Sequence, residues 1–303
     1  IHKYVDKEPS GQAFNAMALT DRNLPYNPMV NSGAIMICGL IEHNTDPSVR
    51  FENVLKWWRR AASGFKPGFD NSVYLSEKTT ADKNFSIAYL MKSHGCFPEN
   101  TNIMDVLEFY FQCCSIEMNC NSLALVAATL ANGGIAPLTG ERIFSTRTTR
   151  DVLSMMFSCG MYDYSGQFAF TVGLPAKSGV SGAIMLVVPG VCGMCIWSPR
   201  LDKYGNSIKG IEFCKKLVSQ FNFHIFDSLS YFNNKTDPRR PRKNSKSYLV
   251  VDFLNACYEN DINTIKKLLH SGIDVNCKDY DSRTGLHIAS SEGCYEVVEL
   301  LLA

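Results

Sequence analysis

The 303-residue sequence has almost no net charge: 30 Lys and Arg stand against 29 Asp and Glu, a balance of +1. No global field therefore recruits nucleic acid or an anionic membrane surface. A long apolar run is also missing. The longest uncharged stretch, Gly182–Trp197, is interrupted by Pro189-Gly190, which leaves it too short and too broken to span a bilayer as a helix. None of the six histidines forms H-x-H or H-E-x-x-H, so no metal site is expected. The chain starts at Ile1 without a Met or a leader-like segment, and it reads as a fragment whose natural N-terminus lies upstream. Cysteine is plentiful, with twelve residues, but Cys192-x-x-Cys195 lacks a second pair. It falls in a strand pattern, where positions three apart face opposite ways and chelate poorly. Reduced thiols in a reducing intracellular compartment account better for the cysteines, with Cys38, Cys113, Cys114, Cys159, Cys214 and Cys257 inside apolar runs and expected to be buried.

What is present is a core-forming composition, 46% hydrophobic and 19% charged, long enough for one large domain or one domain and a smaller one. The stretch Met161–Pro199 is the most informative. Three runs rich in β-branched and aromatic residues, Gln167–Val172, Ala183–Val188 and Val191–Trp197, are separated by Gly173-Leu174-Pro175 and Pro189-Gly190. This predicts antiparallel strands with short connections. Tyr162 and Ser165 precede the first run, and Lys177 and Ser178 the second. A tyrosine, a lysine and a Gly-flanked serine at strand ends suit acyl chemistry or anion binding, although each is also an ordinary turn or packing residue.

Upstream, residues 1–30 are polar and punctuated by Pro and Gly, and read as a long loop. Helical periodicity is expected over Ala34–Ile41, Phe51–Ala62, Asp82–Lys92, Asn102–Cys114, Ser122–Leu130 and Thr148–Phe157, and again over Ile208–Asn222. Asn31 or Ser32 is expected to cap the first helix and Asp82 the third, while residues 63–80 read as loop. An amide at the Asn31 helix start also lies beside unpaired backbone N–H groups that suit an anionic ligand. Helices around a late antiparallel sheet make an α+β domain.

Residues 233–247, N-N-K-T-D-P-R-R-P-R-K-N-S-K-S, carry six Lys or Arg against one Asp and read as a basic, exposed linker. Beyond it the chain repeats itself at an offset of 33: Glu259–Leu269 aligns with Glu292–Leu302, and Ala256 with Ala289. Thr284-Gly-Leu-His-Ile-Ala289 is close to the ankyrin signature T-P-L-H-x-A, with Gly285 in place of Pro. About two all-α repeats are therefore expected over 248–303, after a domain covering 1–232.

Several segments together resemble one family, the glutaminases of animal mitochondria with an ankyrin-repeat tail. The resemblance covers essentially the whole chain. It rests on K-E-P-S-G at Lys7–Gly11, N-P-M-V-N-S-G-A at Asn27–Ala34, D-K-N-F at Asp82–Phe85 and F-Y-F-Q-C-C-S-I-E at Phe109–Glu117. A-A-T-L-A-N-G-G at Ala127–Gly134, C-G-M-Y-D-Y-S-G-Q-F-A-F at Cys159–Phe170, G-L-P-A-K-S-G-V at Gly173–Val180 and D-Y-D-S-R-T at Asp279–Thr284 complete it. The resemblance implies a catalytic domain of the β-lactamase and transpeptidase type and hydrolysis of L-glutamine to L-glutamate and ammonia through a γ-glutamyl-serine ester. It implies Asn31, Glu77, Asn84, Tyr110, Tyr162 and Val180 as substrate contacts. Glu77 would face the ammonium, Asn31 or Asn84 the carboxylate, and the Val180 N–H the oxyanion. Tyr162 and Lys177 would be the catalytic pair. It further implies no cofactor, inorganic phosphate as an activator, a homo-oligomer, a mitochondrial location, and protein partners for the ankyrin segment.

The family's nucleophile lies in an S-x-x-K motif upstream of K-E-P-S-G. The only matching letters, Ser63-Gly-Phe-Lys66, sit in a Gly/Pro-rich loop and read as chance. The chain as given is therefore expected to be inactive. Two rivals stand beside the enzyme: an ankyrin-tailed pseudoenzyme that binds glutamine or a partner without catalysis, and the same fold acting on a β-lactam or peptide. An intact amino-acid pocket weighs against both. Because every pocket candidate precedes residue 181, deleting 248–303 from a complete enzyme should leave the rate per site within about a few-fold in an ammonia-release assay. A collapse of activity with assembly unchanged would refute this.

Overall fold

The computed structural model describes residues 3–227, 235–239 and 245–302. The chain divides into two compact units, Ile1–Leu229 and Ser230–Ala303. Residues 233–234 and 240–244 of the expected basic linker lie outside the described residues.

The first unit opens with an irregular segment held by its own backbone, Asp6 N–H donating to Pro25 and Glu8 N–H to Tyr26 at 2.9 Å. Five helices follow: α1 (Asn31–Leu40), α2 (Pro47–Ala61), α3 (Asn71–Thr79), α4 (Asp82–Ser93) and α5 (Ile103–Cys114). Two short strands, β1 (Gly68–Phe69) and β2 (Ile116–Glu117), pair antiparallel. Ile35, Met36, Ile87, Met91, Leu107 and Phe111 form the buried core between α1, α4 and α5. Gly33 lies so close to the Asn27 carbonyl that a Cβ would stand 1.9 Å from it, which is why the N-P-M-V-N-S-G-A segment needs a glycine there.

After α6 (Cys120–Ala131) and α7 (Thr146–Cys159) comes the expected antiparallel sheet, β3 (Ala176–Ser178), β4 (Ala183–Val188) and β5 (Cys192–Trp197), in that order. The register pairs Lys177 with Met185 and Ala183 with Trp197. Alternation along β4 sends Ile184, Leu186 and Val188 into one core with α9 (Ile208–Gln220). Met185 and Val187 enter another with α6 and α7. Both faces are thus covered. Gly193 of β5 is what lets α6 approach, since a Cβ there would meet the Ala128 nitrogen at 2.0 Å.

Four expectations change. The Gln167–Val172 run is not a strand but part of helix α8 (Ser165–Thr171), preceded by a 3₁₀ turn at Tyr162–Tyr164. Phe168, Phe170 and Val172 alternate in sequence, yet Phe168 and Val172 are buried while Phe170 is 83% exposed. The faces separate at helical, not strand, period. Within the expected loop 63–80, Asp70 accepts from the Ser72 and Val73 N–H groups and starts α3. Asn31 and Asp82 are not caps: they are the first residues of α1 and α4, whose cap positions Val30 and Ala81 make no side-chain cap bond. Cys114, expected to be buried, is exposed at the end of α5.

The second unit holds α10 (Ser245–Tyr258), α11 (Ile262–His270), α12 (Gly285–Glu292) and α13 (Tyr295–Leu302) around Phe253, Cys257, Ile265, Leu268, Ala289 and Val297. Thr284 and His287 form a reciprocal capping box at the start of α12. Gly285 replaces the usual proline where a Cβ would meet Cys257 Sγ and Phe253 at 2.9 Å. A bulkier residue would push the helix off its neighbour.

Two glycine substitutions should move stability in opposite directions. Gly193→Ala, aimed at helix backbone, should cost about 1–3 kcal/mol in urea unfolding. Gly166→Ala, in α8 with nothing within 4 Å, should stabilise by about 0.4–1 kcal/mol through the unfolded chain. Equal effects at both positions would refute the packing argument.

Candidate active site

The structure gathers the sequence candidates into three groups. In the first, Asn31 at the start of α1 and Asn84 in the first turn of α4 are 53 positions apart, and Asn31 Nδ2 donates to Asn84 Oδ1 at 3.0 Å. The Asn31 amide that was expected to cap its own helix is used across to another. The arrangement leaves the Asn84 amide nitrogen with donor hydrogens for an anion, next to the α1 N-terminus.

The second group is Glu77 on α3 and Tyr110 on α5. Glu108 of α5 clamps α3 by accepting from Tyr74 Oη and pairing with Lys78 Nζ. The Tyr110 hydroxyl is held well above its ordinary pKa, first by burial, then by Cys114 and the nearby Glu77 carboxylate. A half-buried carboxylate beside a phenol that stays protonated is an acceptor pair suited to an ammonium.

Tyr162, Lys177 and Val180 make the third. Lys177 Nζ lies 4.7 Å from the Tyr162 ring centroid and donates to the Ser178 carbonyl. Desolvation lowers the Lys177 pKa to about 8. Burial pushes the Tyr162 phenol up to about 12, while the Val180 backbone N–H, donating to its oxygen, pulls the other way. A low-pKa amine against a phenol, with a fixed N–H beside the oxygen, is a proton-transfer unit with a donor for developing negative charge.

Tyr162 adopts φ +54°, a left-handed conformation costing on the order of 1–3 kcal/mol for a non-glycine residue. Its backbone sits where α7 meets the sheet. The Gly160 carbonyl accepts from the Ser178 N–H at 2.9 Å, and a Cβ on Gly160 would stand 1.7 Å from the Ala176 carbonyl. Phe14, which carried no sequence signal, links the groups: its carbonyl accepts from the Asn31 N–H at 2.8 Å and its ring lies 5.0 Å from that of Tyr162.

Neither serine near Tyr162 is placed to attack a substrate. Ser165 Oγ is bonded to the backbone of residues 161 and 162. Ser178 is buried with its hydroxyl unpartnered among the described residues, on the sheet face opposite Lys177 by register. Ser63 stands in a left-handed turn after α2, with Lys66 exposed in the irregular stretch that follows. Among the described residues no group of three or more His, Cys, Asp or Glu is placed to hold a metal ion, and no helix is long and apolar enough to cross a membrane.

Comparison with known proteins gives the family and the fold. A family model described as Glutaminase matches residues 1–226, and one described as Ankyrin repeats (many copies) matches 253–302. The chain is 50% identical over 302 residues to the mouse protein "Glutaminase liver isoform, mitochondrial", covering all of this chain and 50% of that protein. It is 50% identical over 304 residues to "Putative glutaminase 2" of Caenorhabditis elegans, again covering all of this chain and 50% of the relative. The chain thus spans about half the length of the curated relatives it matches. A Bacillus glutaminase crystal structure superposes with a TM-score of 0.69 at 32% identity, over 74% of this chain and 76% of that one.

The buried amine generates a pH signature. The folded pKa of about 8 lies below the ordinary 10.5, so the unfolded state binds more protons between those values and stability rises with pH there. The desolvation penalty, up to roughly 3 kcal/mol, is fully present below pH 8, less whatever the contact with Tyr162 returns. Lys177→Met should therefore be the more stable protein in urea at pH 7, with the gap shrinking toward pH 10. A pH-independent gap would remove the desolvated lysine from the site.

Proposed function

This chain belongs to the glutaminase family, and from that premise we propose that it builds the substrate pocket of an enzyme hydrolysing L-glutamine to L-glutamate and ammonia. The observation that carries the reading is the third group: a phenol against a desolvated ammonium, with the Val180 N–H donating to its oxygen. In this reading a nucleophilic hydroxyl attacks the γ-amide carbon and its proton passes by way of Tyr162 to the neutral-amine form of Lys177, a form that the pKa of about 8 keeps populated near neutral pH. The Val180 N–H stabilises the oxyanion. Tyr162 then protonates the departing nitrogen, the C–N bond breaks, and ammonia leaves a γ-glutamyl ester. Water adds to the ester, the C–O bond breaks, and the hydroxyl regains its proton.

A free amino acid carries two more charges. Glu77 faces the α-ammonium with Tyr110 beside it, and Asn84, oriented by Asn31, donates to the α-carboxylate. The same reading carries over from the family a serine nucleophile in S-x-x-K. No described serine meets Tyr162 in that role, so the 303-residue chain alone is expected not to turn over. Inorganic phosphate as an activator, a homo-oligomeric assembly, a mitochondrial site of action and protein partners for the ankyrin segment belong to the same proposal.

The test is ammonia release from L-glutamine by the chain alone and by the chain joined at Ile1 to the S-x-x-K segment of a family relative. Only the second should be active. In it, Tyr162→Phe should lower kcat about a hundredfold or more, and Glu77→Gln should act mainly on KM, by about 1.5–3 kcal/mol of lost charge-assisted bonding. Turnover by the short chain that vanishes in Ser63→Ala would overturn the assignment and make Ser63 the nucleophile.

A further inference from the structure

Tyr162 is held by two residues that lie outside the pocket. The Met161–Tyr162 junction is a buried run of polar backbone in a left-handed turn, so its donors and acceptors must find partners within the protein. Ser165 Oγ serves two of them: it accepts from the Met161 N–H at 3.0 Å and donates to the Tyr162 carbonyl at 2.6 Å. Asn206 serves a third, its Nδ2 donating to the Met161 carbonyl at 3.2 Å. Asn206 is fully buried, and its Oδ1 has no partner among the described residues. A buried amide with one orphaned end is costly to keep, and among the described residues its side-chain bond goes to the residue before Tyr162.

The loop that carries Asn206 is itself closed. The Asp202 carboxylate accepts from the Tyr204 and Asn206 N–H groups at 2.9 and 3.0 Å, and the Asp202 N–H donates to the Asn206 carbonyl at 2.8 Å. Gly205, at φ +91°, brings the loop against the tyrosine: a Cβ there would meet the Tyr162 ring at 3.6 Å. The loop after β5 therefore holds the Met161 carbonyl and lies beside the Tyr162 ring.

We propose that Ser165 and Asn206 are positioning residues for catalysis, fixing the left-handed Tyr162 turn so that the phenol stays between Lys177 and the Val180 N–H. The inference rests on the functional reading above for its effect on rate, but its geometric content stands apart. Removing either clamp lets the backbone relax toward ordinary φ values and carries the phenol off its line. Displacements of this size cost rate rather than ground-state affinity. Ser165 and Asn206 touch no substrate in this arrangement and act only through Tyr162.

Two measurements test it. In the 303-residue chain labelled with fluorotyrosine, the ¹⁹F resonance lost in Tyr162→Phe should shift in Ser165→Ala and in Asn206→Leu, while that of Tyr110 stays in place and reports an intact fold. Asn206→Leu keeps the volume and removes the orphaned oxygen along with the donor, so folding is not the vulnerable step. In the active, extended chain, each substitution should lower kcat about tenfold or more with KM for L-glutamine within about threefold. Neither should add more than about twofold to Tyr162→Phe, because residues acting through one group are non-additive. An unmoved Tyr162 resonance in both folded variants overturns the proposal, as does a full additive loss on top of Tyr162→Phe. The resonance decides even if Tyr162→Phe leaves turnover intact, an outcome that would sink the functional reading instead.

Discussion

The close approach of Gly160 to the Ala176 carbonyl is the constraint on which the candidate site depends. No side chain fits there, so the end of α7 seats directly on β3, with the Ser178 N–H donating to the Gly160 carbonyl. The next two residues must turn sharply away, and they do so through a left-handed tyrosine. That turn is what lays the Tyr162 ring against Lys177, the middle residue of the same strand. The strain is local and its compensation is local too, in the hydroxyl of Ser165 and the amide of Asn206. An observed backbone outlier fixed from several sides is the usual mark of a preorganised group.

Electrostatics follow from packing. A lysine in a sheet that is covered on both faces loses its hydration, and a phenol beside it loses its own. Desolvation pushes the two pKa values in opposite senses, one down to about 8 and the other up to about 12. Close together in water at 10.5 and 10.0, the two proton affinities are drawn apart, so that near neutral pH the phenol stays protonated while a fraction of the amine is neutral and able to accept a proton. The protein holds this pair at a cost to stability, which fits a site shaped by chemistry more than by folding.

The helical half contributes recognition by different means. The Asn31–Asn84 bond replaces a helix cap, and the Glu108 clamp sets α3, and with it Glu77, against α5. These are hydrogen bonds between elements with a well-packed core beneath them, so the polar groups stay fixed without being buried. Phe14 joins this half to Tyr162 with a backbone acceptor on one side and a ring on the other.

Much was legible in the sequence because it depends on local chemistry. Turn residues separated the β4 and β5 runs, Asn102 and the apolar period announced α5, and the offset of 33 with T-G-L-H-I-A marked the ankyrin helices. The motifs that named the family also named Asn31, Asn84, Tyr110, Tyr162, Lys177 and Val180, and the resemblance as a whole supplied Glu77, which lies outside them. Tertiary structure decided the rest. Phe168, Phe170 and Val172 alternate like a strand, and only the position of the core made them a helix. Asp70 caps α3 locally, while Glu108 of α5 fixes where α3 sits by accepting from Tyr74 and pairing with Lys78. Asn31 could be a cap or a cross-link, and Asn84, 53 residues away, settled which. Phe14 and Asn206 carried no signal at all, because their roles consist of contacts with residues distant in the chain. A short pattern records what a residue prefers by itself, whereas contact across the fold determines which of its preferences is met.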